Sequence, residues 1–337
     1  MIKEAIATLV RGNSLSMEEA SAVMQEIMEG QATPSQLSAF VTALSIKGET
    51  TDEIAGLAKT MRAKALQVKF SGEMVDIVGT GGDRAGTFNI STTAAFVAAG
   101  AGLKVAKHGN RAASSQSGSA DVLEALGVRI DFTPQQVAAC LEEVGISFMF
   151  AQVFHPAMKH AASTRREIGI PTVFNVLGPL TNPAGAKALV LGVARESLLE
   201  KMAGALGSLG LRHALVVHGE DGLDEITITG KTHVCELKDG LIKRYTICPE
   251  DFGLSRAEAG SIKGGCAADN AAILRGVLAG ECGPKRDVVL LNAAAALVAG
   301  DRVASMSEGV ALSRQVLNSG KALDKLERLI SFSRSQA

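Results

Sequence analysis

Hydrophobic positions in the first sixty-five residues recur at helical spacing, as in the face made by Leu37, Phe40, Val41 and Leu44. Three stretches open with a hydroxyl residue and place Glu or Gln three positions later: Ser16-Met17-Glu18-Glu19, Thr33-Pro34-Ser35-Gln36 and Thr50-Thr51-Asp52-Glu53. This is the capping box, in which hydroxyl and carboxylate (or amide) satisfy the free N–H groups of a helix start. Pro34 suits a first helical position and Gly48 a helix end. The pattern predicts a small unit of three short helices.

From Met74 the pattern changes. Val75 to Val78 is a short apolar run leading into glycines, Ser91 to Ala101 is Ala-rich and helical, and Leu103 to Ala106 reads as the next strand. Helix over 121–126, strand over 146–150, helix over 156–168, strand over 188–193, helix over 196–206 and strand over 214–217 continue the alternation. Such alternation predicts an α/β fold whose central, mainly parallel sheet is flanked by helices. Ile226 to Ile228 and Val234 to Leu237 read as an antiparallel excursion, and 267–278, 286–299 and 306–317 as helices. The run Phe174-Asn175-Val176-Leu177-Gly178-Pro179-Leu180-Thr181-Asn182-Pro183 fits neither strand nor helix. It reads as a connection returning to the helical unit. The expected organisation is a helical unit over residues 1–70 followed by an α/β unit.

Composition narrows the function classes. The 337 residues are 47% apolar and 20% charged, with aromatics at 4%, no Trp and one Tyr. That gives little material for the stacking platforms of nucleic-acid binders. A net charge of -1 provides no overall attraction to nucleic acid or to an anionic membrane, so neither is expected as a partner. Cys140, Cys235, Cys248, Cys266 and Cys282 show no C-x-x-C spacing, and most are expected to be core residues of a reducing compartment. Without a signal-like start or a membrane-length apolar run, the expectation is a soluble cytoplasmic protein.

Four clusters carry candidate chemistry. Gly79-Thr80-Gly81-Gly82-Asp83 follows a strand and precedes a helix, where bare backbone N–H groups suit a phosphate. Arg84 occupies the third glycine position of a dinucleotide fingerprint, which therefore fails, and there is no P-loop ending; a tight structural turn would use the same residues. Asn89-Ile90-Ser91-Thr92 can cap the next helix or bind an anion or its metal. Lys107-His108-Gly109-Asn110-Arg111-Ala112-Ala113-Ser114-Ser115 lies past a strand's carboxyl end, with Ser119 extending it, and concentrates donors for a polyanion. Asp224-Glu225 offers paired hard oxygens for Mg²⁺, although acid pairs are also common on surfaces. Arg165 and Arg166 could fork onto a small carboxylate or form an ordinary surface pair, and the remaining histidines show no metal-ligand spacing.

In this order, with His155-Pro156-Ala157-Met158-Lys159 and the 175–183 segment between, the motifs resemble the anthranilate phosphoribosyltransferases over nearly the whole chain. The resemblance implies a helical domain of residues 1–70, completed by about 168–187, joined by a hinge to an α/β domain of 71–167 and 188–337, a homodimer, and Mg²⁺-dependent transfer from phosphoribosyl pyrophosphate (PRPP) to the anthranilate amine. It implies that Gly79, Gly82, Asp83, Thr87, Asn89, Ile90, Ser91, Thr92, Lys107, His108, Gly109, Asn110, Arg111, Ala112, Ala113, Ser114, Ser115 and Ser119 contact PRPP. Ser91, Asp224 and Glu225 match the Mg²⁺ positions. Gly79, Asn110 and Arg165 match anthranilate contacts, with His108 and Gly178 lining its path. Ala162-Ser163-Thr164 departs from the family pattern before Arg165. The implied mechanism is displacement at ribose C1, for which a strong general base is not needed, with Lys107, Asn110 and Arg165 acting through orientation and electrostatics. The rivals are a pyrimidine nucleoside phosphorylase-like enzyme, disfavoured by Asn110 and the acid pair, and a nucleic-acid-binding relative, disfavoured by the charge balance.

Overall fold

A computed structural model describes residues 1–112 and 116–335. The chain runs α1 (Ile2–Val10), α2 (Met17–Met28), α3 (Pro34–Lys47), α4 (Thr51–Lys64), β1 (Met74–Gly79), α5 (Ile90–Gly100), β2 (Lys104–Gly109), α6 (Ser119–Ala125), α7 (Pro134–Glu143) and β3 (Ile146–Phe150). It continues with α8 (Ala151–Phe154), α9 (Lys159–Ile168), α10 (Phe174–Leu177), β4 (Ala188–Gly192), α11 (Leu199–Ser208), β5 (His213–Gly219), β6 (Thr232–Lys238) and β7 (Leu241–Ile247). Helices α12 (Ala267–Leu278), α13 (Pro284–Ala299), α14 (Met306–Asn318) and α15 (Lys321–Ser335) complete it.

The three capping boxes form as expected. Ser16, Thr33 and Thr50 each accept from the backbone three residues on, and Glu19, Gln36 and Glu53 bond back. Glu53 does more than cap: fully buried, it also accepts from the Leu15 amide and the Lys47 ammonium, tying α2, α3 and α4 together. The helical unit has a fourth helix, α1, which no capping signal announces because Met1 offers no side-chain cap.

The sheet order is β3-β2-β1-β4-β5-β6-β7, parallel from β3 through β5 and antiparallel at β6 and β7. Strands β3 and β4 are buried along their whole length, which explains their unbroken apolar runs. The antiparallel excursion is real, but its strands are corrected: Ile226–Ile228 is irregular, and β6 pairs with β5 on one side and β7 on the other. Strand β7 is mostly exposed, so Lys243 and Arg244 on this edge leave no apolar alternation to read.

Alternate residues of the sheet feed two cores. Val190, Leu215 and Val217 face the core built around α5 and α13. Leu189, Leu191, Ala214 and Val216 face a second core that contains α11, the helices α1 to α4 and Val173, Phe174, Val176, Leu177 and Leu180. The Pro-rich segment thus packs with the helical unit, as two short helical turns rather than an irregular connection. Of the cysteines only Cys140 and Cys235 are buried; Cys266 and Cys282 are exposed, correcting the expectation that most are core residues. Among the described residues, no helix is long and apolar enough to cross a membrane.

Candidate active site

Strand β1 leads to β2 and β3 on one side, while β4 lies on its other side, so the order of connections reverses between β1 and β4. Open α/β sheets hold ligands beyond the carboxyl ends of the strands at such a point. Here those ends are a register pair of glycines, Gly79 and Gly192. Both lie against the Asp224 turn: a Cβ at Gly79 would sit 2.3 Å from Asp224 Oδ2, and one at Gly192 would sit 1.6 Å from the Asp224 carbonyl oxygen. The two glycines therefore let the acid pair rest directly on the sheet.

Around this point lies a cleft of about 580 Å³. The glycine loop, the start of α5, the end of β2, the segment 116–119, Asn175, Asp224 and Glu225 line it. The cleft brings together Gly79, Gly82, Asp83, Thr87, Asn89, Ile90, Ser91, Thr92, Lys107, His108, Gly109, Asn110, Arg111, Ala112, Ser119, Asp224 and Glu225. Ala113, Ser114 and Ser115 lie outside the described residues. Arg165 and Gly178 are not on its wall. They belong to α9 and the turn after α10, where the Arg165 guanidinium stacks 5.0 Å from the Phe174 ring. Arg165 has no hydrogen-bond or ion-pair partner among the described residues, and burial lowers its pKa.

The acids reach across to backbone N–H groups of the glycine loop and of α5. The Gly81 N–H donates to Asp224 Oδ2 at 2.6 Å, and the Ser91 N–H in the first turn of α5 donates to Glu225 Oε1 at 3.2 Å. Burial raises the Asp224 pKa well above its ordinary value, with repulsion from Glu225 and Asp83 adding to it. Burial also pushes Glu225 up to about 7, against the opposing pull of Lys107. Asn89, one of the cap candidates, makes no side-chain cap. Its amide instead donates to the Ser117 carbonyl at 3.2 Å and accepts from Asn270 of α12 at 3.0 Å, so it braces the cleft wall.

Lys107 is buried and donates to the Ile77 carbonyl at 2.6 Å, with Ser91 Oγ at 3.5 Å. Burial lowers its pKa, and Asp76 and Glu225 counteract this. Asp76 was not singled out in the sequence, because a lone acid within an apolar strand gives no motif. It is almost fully buried and accepts from the backbone of Ile77 and His108 and from Asn182 Nδ2 at 2.6 Å. Burial pushes it up to about 6, with Lys107 as the main opposing influence. Asn182 also donates to the Ala106 carbonyl, so the Pro-rich segment is fastened to β1 and to β2 at the residue before Lys107.

His108 and His155 pack with ring centres 5.0 Å apart and planes tilted by 50°, and each has a buried Nε2 with no hydrogen-bond partner among the described residues. Burial drives His108 down to about 3, helped by His155 and opposed by the Gly178 backbone, and it drives His155 down to about 4. Arg111, by contrast, is exposed and engaged in ion pairs with Asp121 and Glu124, beside the Phe150 ring. Buried acids, backbone donors and a buried ammonium in one cleft make a site for a polyanion that arrives with a hard cation. Among the described residues no three His, Cys, Asp or Glu form a metal cage. Mg²⁺ does not need one, since it binds through one or two carboxylates and the phosphates of its substrate.

Residues 71–323 match the model of a glycosyl transferase family, a/b domain, and residues 3–65 match the helical bundle domain of a glycosyl transferase family. The chain is 57% identical over 339 residues to the anthranilate phosphoribosyltransferase of Dehalococcoides mccartyi, covering 100% of this chain and 99% of the relative. Its structure is similar to that of anthranilate phosphoribosyltransferase from Thermus thermophilus, with a TM-score of 0.93 and 48% identity over 98% of this chain and 99% of the other. It is also similar to the Saccharomyces cerevisiae anthranilate phosphoribosyltransferase in complex with PRPP and Mg, at a TM-score of 0.90 and 31% identity over 99% of this chain and 98% of the other.

Proposed function

Since the chain belongs to the anthranilate phosphoribosyltransferases, glycosyltransferases of tryptophan biosynthesis, we propose that its cleft binds PRPP with Mg²⁺ and presents ribose C1 to the anthranilate amine. One observation carries the assignment. Asp224 and Glu225 are held against the Gly81 and Ser91 amides, so a cation site and two phosphate donors share one wall.

Asp224 and Glu225, with the Ser91 hydroxyl, fit Mg²⁺: they are hard oxygens whose burial and mutual repulsion call for positive charge. Bound there, Mg²⁺ would neutralise charge on the departing pyrophosphate. Released from the acids, the Gly81 and Ser91 N–H groups are free to donate to phosphate oxygens, and Lys107 adds positive charge. The remaining expected PRPP contacts, including Ala113, Ser114 and Ser115, follow by family likeness.

The acceptor enters from the helical side. Arg165, a partly buried guanidinium without a counter-charge among the described residues, suits the anthranilate carboxylate. Asn110 orients the amine, with Gly79 behind it and His108 and Gly178 along the path. The imidazoles of His108 and His155 stay neutral at pH 7, so they form a wall without adding charge. An aromatic amine is nucleophilic when neutral, so the barrier falls through alignment and electrostatic placement rather than strong-base catalysis.

The same reading divides the chain into a helical domain of 1–70 with about 168–187 and an α/β domain of the rest. It makes the protein a dimer, for which exposed Val10 and Ile46 on α1 and α3 leave apolar surface. It also places the chain in the cytoplasm, where the exposed thiols of Cys266 and Cys282 would stay reduced.

Anthranilate fluorescence tests the proposal: it should fall only when PRPP and Mg²⁺ are both present, and no fall would overturn it. Arg165→Ala should raise the anthranilate KM at least tenfold while moving the PRPP KM less than threefold, as expected for a lost charge-assisted bond. An equal rise in both would remove Arg165 from the acceptor site.

A further inference from the structure

The glycine loop carries a side chain with no part in the function proposed so far. Gly81, Gly82 and Gly86 have φ of 68°, 83° and 66°, and Arg84 among them has φ of 57°. Glycine adopts this region freely, whereas an L side chain there crowds the following carbonyl. Short polar residues tolerate it through local hydrogen bonds. The other non-glycine residues with positive φ among those described, Asp239 and Asp301, are of that kind. Arg84 is not, and strain retained in a binding loop marks a position where the side chain does something.

Its surroundings say what. Arg84 is exposed and lines the cleft, and it has no hydrogen-bond or ion-pair partner among the described residues. The other cations of the cleft are engaged: Arg111 with Asp121 and Glu124, and Lys107 with the Ile77 carbonyl. Asp83, its chain neighbour, lies close enough to Asp224 and Glu225 to perturb both, so this part of the loop sits beside the acid pair. A planar guanidinium takes two phosphate oxygens at once.

We propose that Arg84 is a further substrate-binding residue, whose guanidinium binds the diphosphate end of PRPP from the glycine loop beside Asp224 and Glu225. The proposal rests on the assignment of the cleft made above. Arg84 would hold pyrophosphate as the C1–O bond breaks and charge gathers on the leaving group. It would do little for anthranilate, which approaches from the other side.

Calorimetric titration with pyrophosphate and Mg²⁺, alongside steady-state kinetics, tests this on the full chain. Arg84→Gly should weaken pyrophosphate about tenfold and raise the PRPP KM by a similar factor, the size expected for an exposed charge-assisted bond. The anthranilate KM should stay within twofold. Arg84→Ala keeps the loop's backbone restriction and should show the same loss, and Arg84→Lys should recover part of it. Pyrophosphate affinity within twofold of wild type in Arg84→Gly, or a loss in Arg84→Gly that Arg84→Ala lacks, would overturn the proposal. Failure of the unsubstituted protein to bind pyrophosphate would instead bring down the cleft assignment, and this proposal with it.

Discussion

Gly192→Ala tests whether the acid pair is held in place by backbone contact. Gly192 ends β4, in register with Gly79, and its missing Cβ is what lets the Asp224 turn settle on the sheet. An added Cβ would lie 1.6 Å from the Asp224 carbonyl oxygen and 2.4 Å from its carbonyl carbon. To reach the 3.0 Å that real Cβ contacts respect, the turn must retreat by at least 1.4 Å. Both clashing atoms are backbone, so no rotamer change relieves them. Mg²⁺ accepts its ligands near 2.0–2.1 Å in close to octahedral geometry, and a displacement of this size takes at least one carboxylate out of reach. Misplacement by about 1 Å costs roughly 10²-fold in turnover. Overpacking itself costs about 1–3 kcal/mol, a fall in Tm of several degrees. The assay is anthranilate fluorescence decay across a Mg²⁺ titration, with thermal unfolding followed in parallel. Turnover should fall about a hundredfold, and the Mg²⁺ midpoint should move to higher concentration. Gly260→Ala, at an exposed glycine whose Cβ would meet nothing within 4 Å, serves as the control and should match wild type in both measurements. Wild-type turnover with unchanged Mg²⁺ dependence in Gly192→Ala would refute the reasoning.

Two further expectations concern pH. Because burial holds the Glu225 carboxyl at about 7, and Asp224 is raised as well, cation binding must expel a proton from the pair. Mg²⁺ affinity measured calorimetrically should therefore fall as the pH is lowered from 8 to 6, with Glu225 alone accounting for about fivefold between pH 7 and pH 6; a flat profile between pH 6 and 8 would contradict the assignment. His155 has a folded-state pKa pushed down to about 4 from an ordinary 6.5, so its neutral form contributes stability that is present above pH 6.5 and lost as the pH falls toward 4. At pH 5 the loss is about 2 kcal/mol. Urea unfolding of His155→Leu should accordingly lose about 2 kcal/mol less than wild type between pH 7 and pH 5, and an identical loss in the two proteins would count against a buried neutral imidazole.

Much of the architecture is written locally. The capping-box spacings at Ser16, Thr33 and Thr50 are short-range chemistry and give the same helix starts in the sequence and in the fold. Thr133-Pro134-Gln135-Gln136 carries the same signal, and α7 begins there, so that helix start too was available in the sequence. Strand β7 was illegible for a physical reason: an edge strand with most of its residues in solvent has no burial to impose a pattern. The wall of the cleft was legible too, because it uses Gly, Asn, Ser, Thr and Lys at strand and helix ends, where those residues have few other reasons to gather.

By itself, then, the sequence determined the helical unit, the parallel α/β core and most of the residues that line the cleft. Only the tertiary structure decided which of them meet one another. That Asp224 caps the Gly81 amide, 143 residues away, and Glu225 the Ser91 amide follows from where β4 and β5 lie in the sheet, which no local pattern encodes. That Gly192 has no room for a Cβ follows from a carbonyl oxygen of a distant turn, and a glycine at a strand end looks the same with or without it. Asp76 and Asn182, joined across 106 residues, are invisible for the same reason. Capping and periodicity act over three or four residues and can be read along the chain, whereas the burial and repulsion that tune this site act through space.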